Sequence, residues 1–141
     1  MAQIKHIAIA TQDADATAKY YKDVFGLREI AKLDGENAKG YYLSDGNINL
    51  AILDFQNDGV AGPEYGTSYS GIHHIGFEVE SLEEIAEKLK AANSAPRDDI
   101  NRALGVGNGH RTGNVEVKYG GPDGVIIDVS ETGWVGTRGF D

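Results

Sequence analysis

At 141 residues, 40% hydrophobic and 25% charged, the chain has the length and balance of one ordinary globular domain, and no apolar run approaches the roughly 20 residues of a membrane span. It has no cysteine, which excludes disulfides and thiolate-held metals, so any metal must be held by His, carboxylate or amide. A net charge of −9 without a Lys/Arg cluster excludes a nucleic-acid surface and leaves a small molecule as the expected partner, and the absence of a leader pattern before the first strand predicts a cytoplasmic protein.

Residues 5–10 alternate at period two, with Ile7 and Ile9 on one face and His6, Ala8 and Ala10 on the other. Asp13 is placed to cap a helix over 14–25, whose predicted core face is Thr17, Tyr20, Tyr21, Val24 and Phe25, and Gly26 to end it. Residues 27–33 alternate as a strand, and 40–44 and 47–53 read as a hairpin about Asp45-Gly46. This first module, about 1–55, is βαβββ. Residues 56–70 are rich in glycine, lack a period and form a linker. Residues 72–79 then repeat the opening run almost residue for residue: Ile75, Phe77 and Val79 share one face, and His74, Gly76 and Glu78 the other. Ser81 and Glu84 form a capping box for a helix that buries Leu82, Ile85, Ala86 and Leu89. A short strand over 95–100, a long glycine-rich loop over 102–113 and strands over 114–119 and 125–130 complete a second module, about 71–132. The tail, 133–141, carries Trp134 and Phe140 and is expected to pack on the body or on a partner subunit. The whole span 1–141 reads as a single α+β domain.

The faces bring the chemistry together. In the last strand Val125, Ile127 and Val129 form the apolar face, so Asp128 points opposite; in residues 47–53, Ile48, Leu50 and Ile52 leave Asn49 on the other side. If helices cover the apolar faces, then His6, Asn49, His74 and Asp128 project from one uncovered surface. Two imidazoles, a carboxylate and an amide suit one divalent ion, Fe(II) first, with Mn, Co, Ni or Zn also accommodated. His73 falls on the face of Ile75 and Phe77 and reads as structural, unless a bulge exchanges it with His74. Glu78 shares the face of His74 and is a candidate base, with Asp128, for catalysis. His110 and Arg111 in the glycine-rich loop are candidates for holding an anionic substrate.

Taken together, Lys5-His6-Ile7-Ala8-Ile9, Tyr20 to Leu27, His73-His74-Ile75-Gly76-Phe77-Glu78-Val79 and Gly121-Pro122-Asp123-Gly124 to Asp128 resemble the vicinal oxygen chelate superfamily of glyoxalases, bleomycin resistance proteins and extradiol dioxygenases. The resemblance implies two βαβββ modules forming an open, curved eight-stranded sheet around a metal cleft, with His6, Asn49, His74 and Asp128 as ligands. It also implies a homodimer and adds Tyr119 as a substrate-binding candidate. Within it, Asn49 disfavours glyoxalase-type isomerisation, because an amide cannot accept a proton. His6, His74 and Asp128 match the extradiol pattern, so oxygen-dependent cleavage is slightly preferred. Lyase or epimerase chemistry, and non-catalytic binding of a small molecule as in a resistance protein, are the alternatives.

Overall fold

The computed structural model describes residues 1–106 and 116–141. The elements are β1 (Gln3–Ala10), α1 (Ala14–Phe25), β2 (Arg28–Asp34), β3 (Ala38–Ser44), β4 (Asn49–Phe55), α2 (Asp58–Ala61), β5 (Gly71–Glu78), α3 (Leu82–Ala91), α4 (Asp98–Ala103), β6 (Val117–Gly120) and β7 (Ile126–Ser130). The strands form one open mixed sheet in the order β2-β3-β4-β1-β5-β7-β6. Each half closes on itself in the same way, with β1 parallel to β4 and β5 parallel to β7, and the halves join through the antiparallel pair β1 and β5. The internal repeat of the sequence is therefore the seam of the sheet. No helix of the described residues is long and apolar enough to cross a membrane.

Helix α1 has the predicted bounds: the Asp13 carboxylate accepts from Ala16 N at 3.0 Å, and Gly26 ends the helix at φ 74°. Its buried face differs from the expected one. Ala14, Ala18 and Tyr21 meet Leu43 and Ile52 of the sheet, while Tyr20, Val24 and Phe25 are more than half exposed. Helix α3 has the predicted Ser81 cap, with Glu84 N donating to Ser81 Oγ at 3.1 Å, and half-buries Leu82, Ile85, Ala86 and Leu89.

The described residues form seven strands, not eight. The segment predicted as a strand over 95–100 makes a single bridge, Pro96 to Tyr119, and then turns into α4. Pro96 removes a donor there, and Asp98 and Asp99 favour the first turn of a helix. The outer edge of β6 is satisfied piecemeal instead. Arg97 N donates to Lys118 O at 2.8 Å and Gly120 N to Ala95 O at 2.8 Å. Asn101 then imitates a strand with its side chain, accepting from Lys118 N at 2.9 Å and donating to Lys118 O at 3.0 Å.

The sheet face opposite α1 is not an open surface. Ala8, Ala10, Ala51, Leu53 and Phe55 pack there with Val60 and Ala61 of α2. The tail crosses the same face: Ser44 Oγ donates to Gly136 O, Asn49 Nδ2 donates to Val135 O at 3.0 Å, and Gly139 N donates to Gly46 O at 3.1 Å. The aromatic tail thus packs on the chain's own sheet.

Candidate metal centre

Register places five residues in one row across the sheet. Asn49 of β4 lies opposite His6 of β1, His6 opposite Gly76 of β5, Gly76 opposite Asp128 of β7, and Asp128 opposite Lys118 of β6. Gly76 must lack a side chain, since a Cβ there would come within 2.7 Å of His6 Cβ and 2.8 Å of the Trp134 ring. The indole uses that space to stack on the His6 imidazole, with ring centroids 4.7 Å apart and planes 1° apart.

His74 reaches into the row from the next pleat of β5. His6 Nε2 lies 3.0 Å from His74 Nε2, and His74 Nε2 lies 3.1 Å from Asp128 Oδ2. One ligand atom from each of these three buried residues lies within 4.8 Å of the other two. Asn49 does not add a fourth: its Oδ1 faces His6 Nδ1 at 2.8 Å, while its amide nitrogen is fixed on Val135 O.

Hydrogen bonds determine which ring nitrogens carry protons. A bulge in β5, where Ala8 pairs with His74 but Ile9 with Ile72, makes His73 an extra residue and lets the adjacent histidines meet, Nδ1 to Nδ1, at 2.8 Å. His73 Nε2 lies 2.7 Å from Ala61 O, which can only accept, so Nε2 carries the proton. The neutral His73 then accepts at Nδ1 from His74, and His6 donates its Nδ1 proton to Asn49. Both Nε2 lone pairs are left facing each other and Asp128.

Burial keeps these rings neutral. It pushes His74 down to about 3, against the attraction of Asp128, and lowers His6 against the pull of Glu116 and Asp128. His73 is lowered by burial as well. Burial alone would raise the Asp128 carboxyl, but the Lys118 ammonium holds it well below the usual carboxylate range. Lys118 Nζ donates to Oδ2 at 3.0 Å and lies 2.9 Å from Oδ1, yet Oδ1 is buried without an aligned hydrogen bond. Two facing imidazole lone pairs and an unsatisfied carboxylate oxygen are a donor set that a divalent cation fits.

A cleft of about 490 Å³ opens from this centre, between His6, His74, Glu116 and Lys118 at one end and the β2–β3 turn at the other. Two predicted site residues lie away from it. Glu78 is on the expected face but farther along β5, where Arg138 of the tail donates to its Oε2 at 3.0 Å. Tyr119 points to the other face of β6, into a groove shared with Ala86 and Lys90 of α3. His110 and Arg111 lie outside the described residues. Sequence reasoning did not single out Lys118 or Glu116, although strand parity sets both on one face, and it gave Trp134 no part in the site. Trp134 Nε1 donates to Glu116 Oε1 at 2.6 Å, so the tail holds this carboxylate at the cleft.

Residues 3–129 match the sequence family described as the Glyoxalase/Bleomycin resistance protein/Dioxygenase superfamily. An ethylmalonyl-CoA/methylmalonyl-CoA epimerase of Cereibacter sphaeroides is 29% identical over 110 residues, 74% of this chain and 76% of its own length. A lactoylglutathione lyase of Haemophilus influenzae is 29% identical over 135 residues, 92% of each chain. Among solved structures, a Streptomyces coelicolor methylmalonyl-CoA epimerase variant in complex with 2-nitronate-propionyl-CoA superposes with a TM-score of 0.68 at 20% identity, covering 91% of this chain and 92% of that one.

Proposed function

The chain belongs to the glyoxalase/bleomycin resistance protein/dioxygenase superfamily, and on that premise we propose that it is a metal-dependent enzyme that moves a proton beside two neighbouring oxygens of a small substrate, as an epimerase or lyase does. The observation that carries this reading is the convergence of His6 Nε2, His74 Nε2 and Asp128 beside a cleft that His6 and His74 line. The epimerase and lyase relatives favour proton transfer over the oxygen-dependent cleavage expected from sequence.

A divalent ion at His6, His74 and Asp128 would supply a Lewis acid that polarises a substrate carbonyl and acidifies the adjoining C–H. The protein supplies the rest. Asn49 and His73 hold the Nδ1 protons, so that both Nε2 lone pairs stay aimed inward. Lys118 pairs with Asp128 while no ion is bound. The Asn49 amide cannot act as a base, and its oxygen is taken by His6. Glu116, fixed by the Trp134 indole beside the centre, is therefore assigned the proton transfer.

The test has two parts. Elemental analysis should find one divalent ion per chain, and a His6→Ala/His74→Ala double variant that keeps full occupancy overturns the site. Metal-loaded protein should then exchange carbon-bound protons of 2-oxo acids or acyl thioesters for deuterium, as read by NMR, with Glu116→Gln slowing exchange about 100-fold or more.

A second reading has its own support: with Asn49 turned to His6, two imidazoles and one carboxylate remain, the arrangement suited to Fe(II) and dioxygen. Oxygen uptake by the Fe(II)-loaded protein with catechols, and no deuterium exchange with any member of the panel, would select it.

A further inference from the structure

The wall of the cleft is the chain's own core. Ala51, Leu53, Phe55 and Val60 are buried, and Tyr42 and Leu104 pack against them. These side chains bind β4 to α2, so a ligand lying along them meets a surface already fixed by folding. The volume of about 490 Å³ lies within the roughly 300–1,000 Å³ of small-molecule sites.

We infer that the substrate of the site proposed above carries one uncharged apolar arm, alkyl or aryl, directly beside its chelating oxygen pair. The inference rests on the metal reading for the chelating head and on the apolar wall for the arm. Each methylene moved from water onto such a wall should tighten binding about fourfold until the cleft is filled.

The experiment uses the full chain loaded with Co(II) and titrated with straight-chain hydroxamic acids from acetohydroxamic to octanohydroxamic acid, read by the visible absorption of the metal. Acetohydroxamic acid is expected to change the spectrum weakly. Successive homologues are expected to bind about three- to fourfold tighter per methylene, and Leu104→Asn to flatten the longer half of the series. A flat series after a clear acetohydroxamate response overturns the inference and leaves the metal reading standing. No response even to acetohydroxamic acid overturns both. The series on the unaltered chain decides the matter if Leu104→Asn does not fold.

Discussion

Removing the Lys118 charge should tighten metal binding. In the described structure its ammonium already neutralises Asp128 from 2.9 and 3.0 Å, so a divalent ion entering beside Asp128 meets a like charge. A charge of +2 roughly 5 Å from a charge of +1 costs about 7 kcal/mol at an effective dielectric of 20 and about 2 kcal/mol in bulk water. Even the lower figure corresponds to more than tenfold in affinity. The apo state moves the same way, because Lys118→Met leaves a buried carboxylate without its partner, at a cost of roughly 3–5 kcal/mol. Lys118→Met is therefore expected to melt earlier than the parent without metal, to recover with Zn(II) or Co(II), and to bind either ion at least tenfold tighter in competition with a chromogenic chelator. Lys118→Arg, which keeps the charge, should stay near the parent. A folded Lys118→Met chain with unchanged or weaker affinity would refute the reasoning, since it would mean that the ammonium helps to build the site rather than competing for it.

Other expectations follow from the same geometry. His73→Leu should weaken metal binding about 10- to 100-fold and His73→Gln much less, because Gln still offers an acceptor to His74 Nδ1; equal losses by calorimetry would deny His73 that role. The folded-state pKa of His74 is depressed to about 3, so below the unfolded value near 6.5 only the unfolded chain takes up the proton, and stability present above that pH is lost as it falls. From pH 7.5 to 5.0 the metal-free protein should lose about 2 kcal/mol from His74 alone, with His6 and His73 adding in the same sense; urea unfolding that is flat across this range would contradict it. We also expect a homodimer that covers the exposed Tyr20, Val24 and Phe25 of α1, so a monomeric mass by light scattering at high concentration, in the parent and in Val24→Lys alike, would count against it.

How far the fold and the centre could be read from sequence depended on whether local alternation survived in the sheet. The shared face of His6, Asn49, His74 and Asp128 was legible because strand parity decides which side a residue takes, but parity could not show that Asn49 turns to His6 instead of joining the ligand set. Parity does not measure distance along a strand, which is why Glu78, on the correct face, lies under Arg138 and not in the cleft. It also fails at a bulge: the extra residue at His73 turns a core histidine into the partner of His74. Tyr119 was named through the resemblance and Lys118 went unremarked, because only the register sets Lys118 opposite Asp128. The missing eighth strand turns on a trade that a local pattern cannot reveal, because Asn101 reaches back from α4 to serve the β6 backbone 17 residues away.

The packing of Trp134 gives the centre a built-in optical reporter. It is the only tryptophan in the chain, its ring lies flat on His6 and its N–H is bound to Glu116. Indole emission from the unlabelled protein therefore originates at the candidate site and nowhere else. Quenching or a spectral shift on adding a metal or a chelating ligand reports events at His6 without a dye, and the same signal dims or shifts if the tail lifts from the sheet.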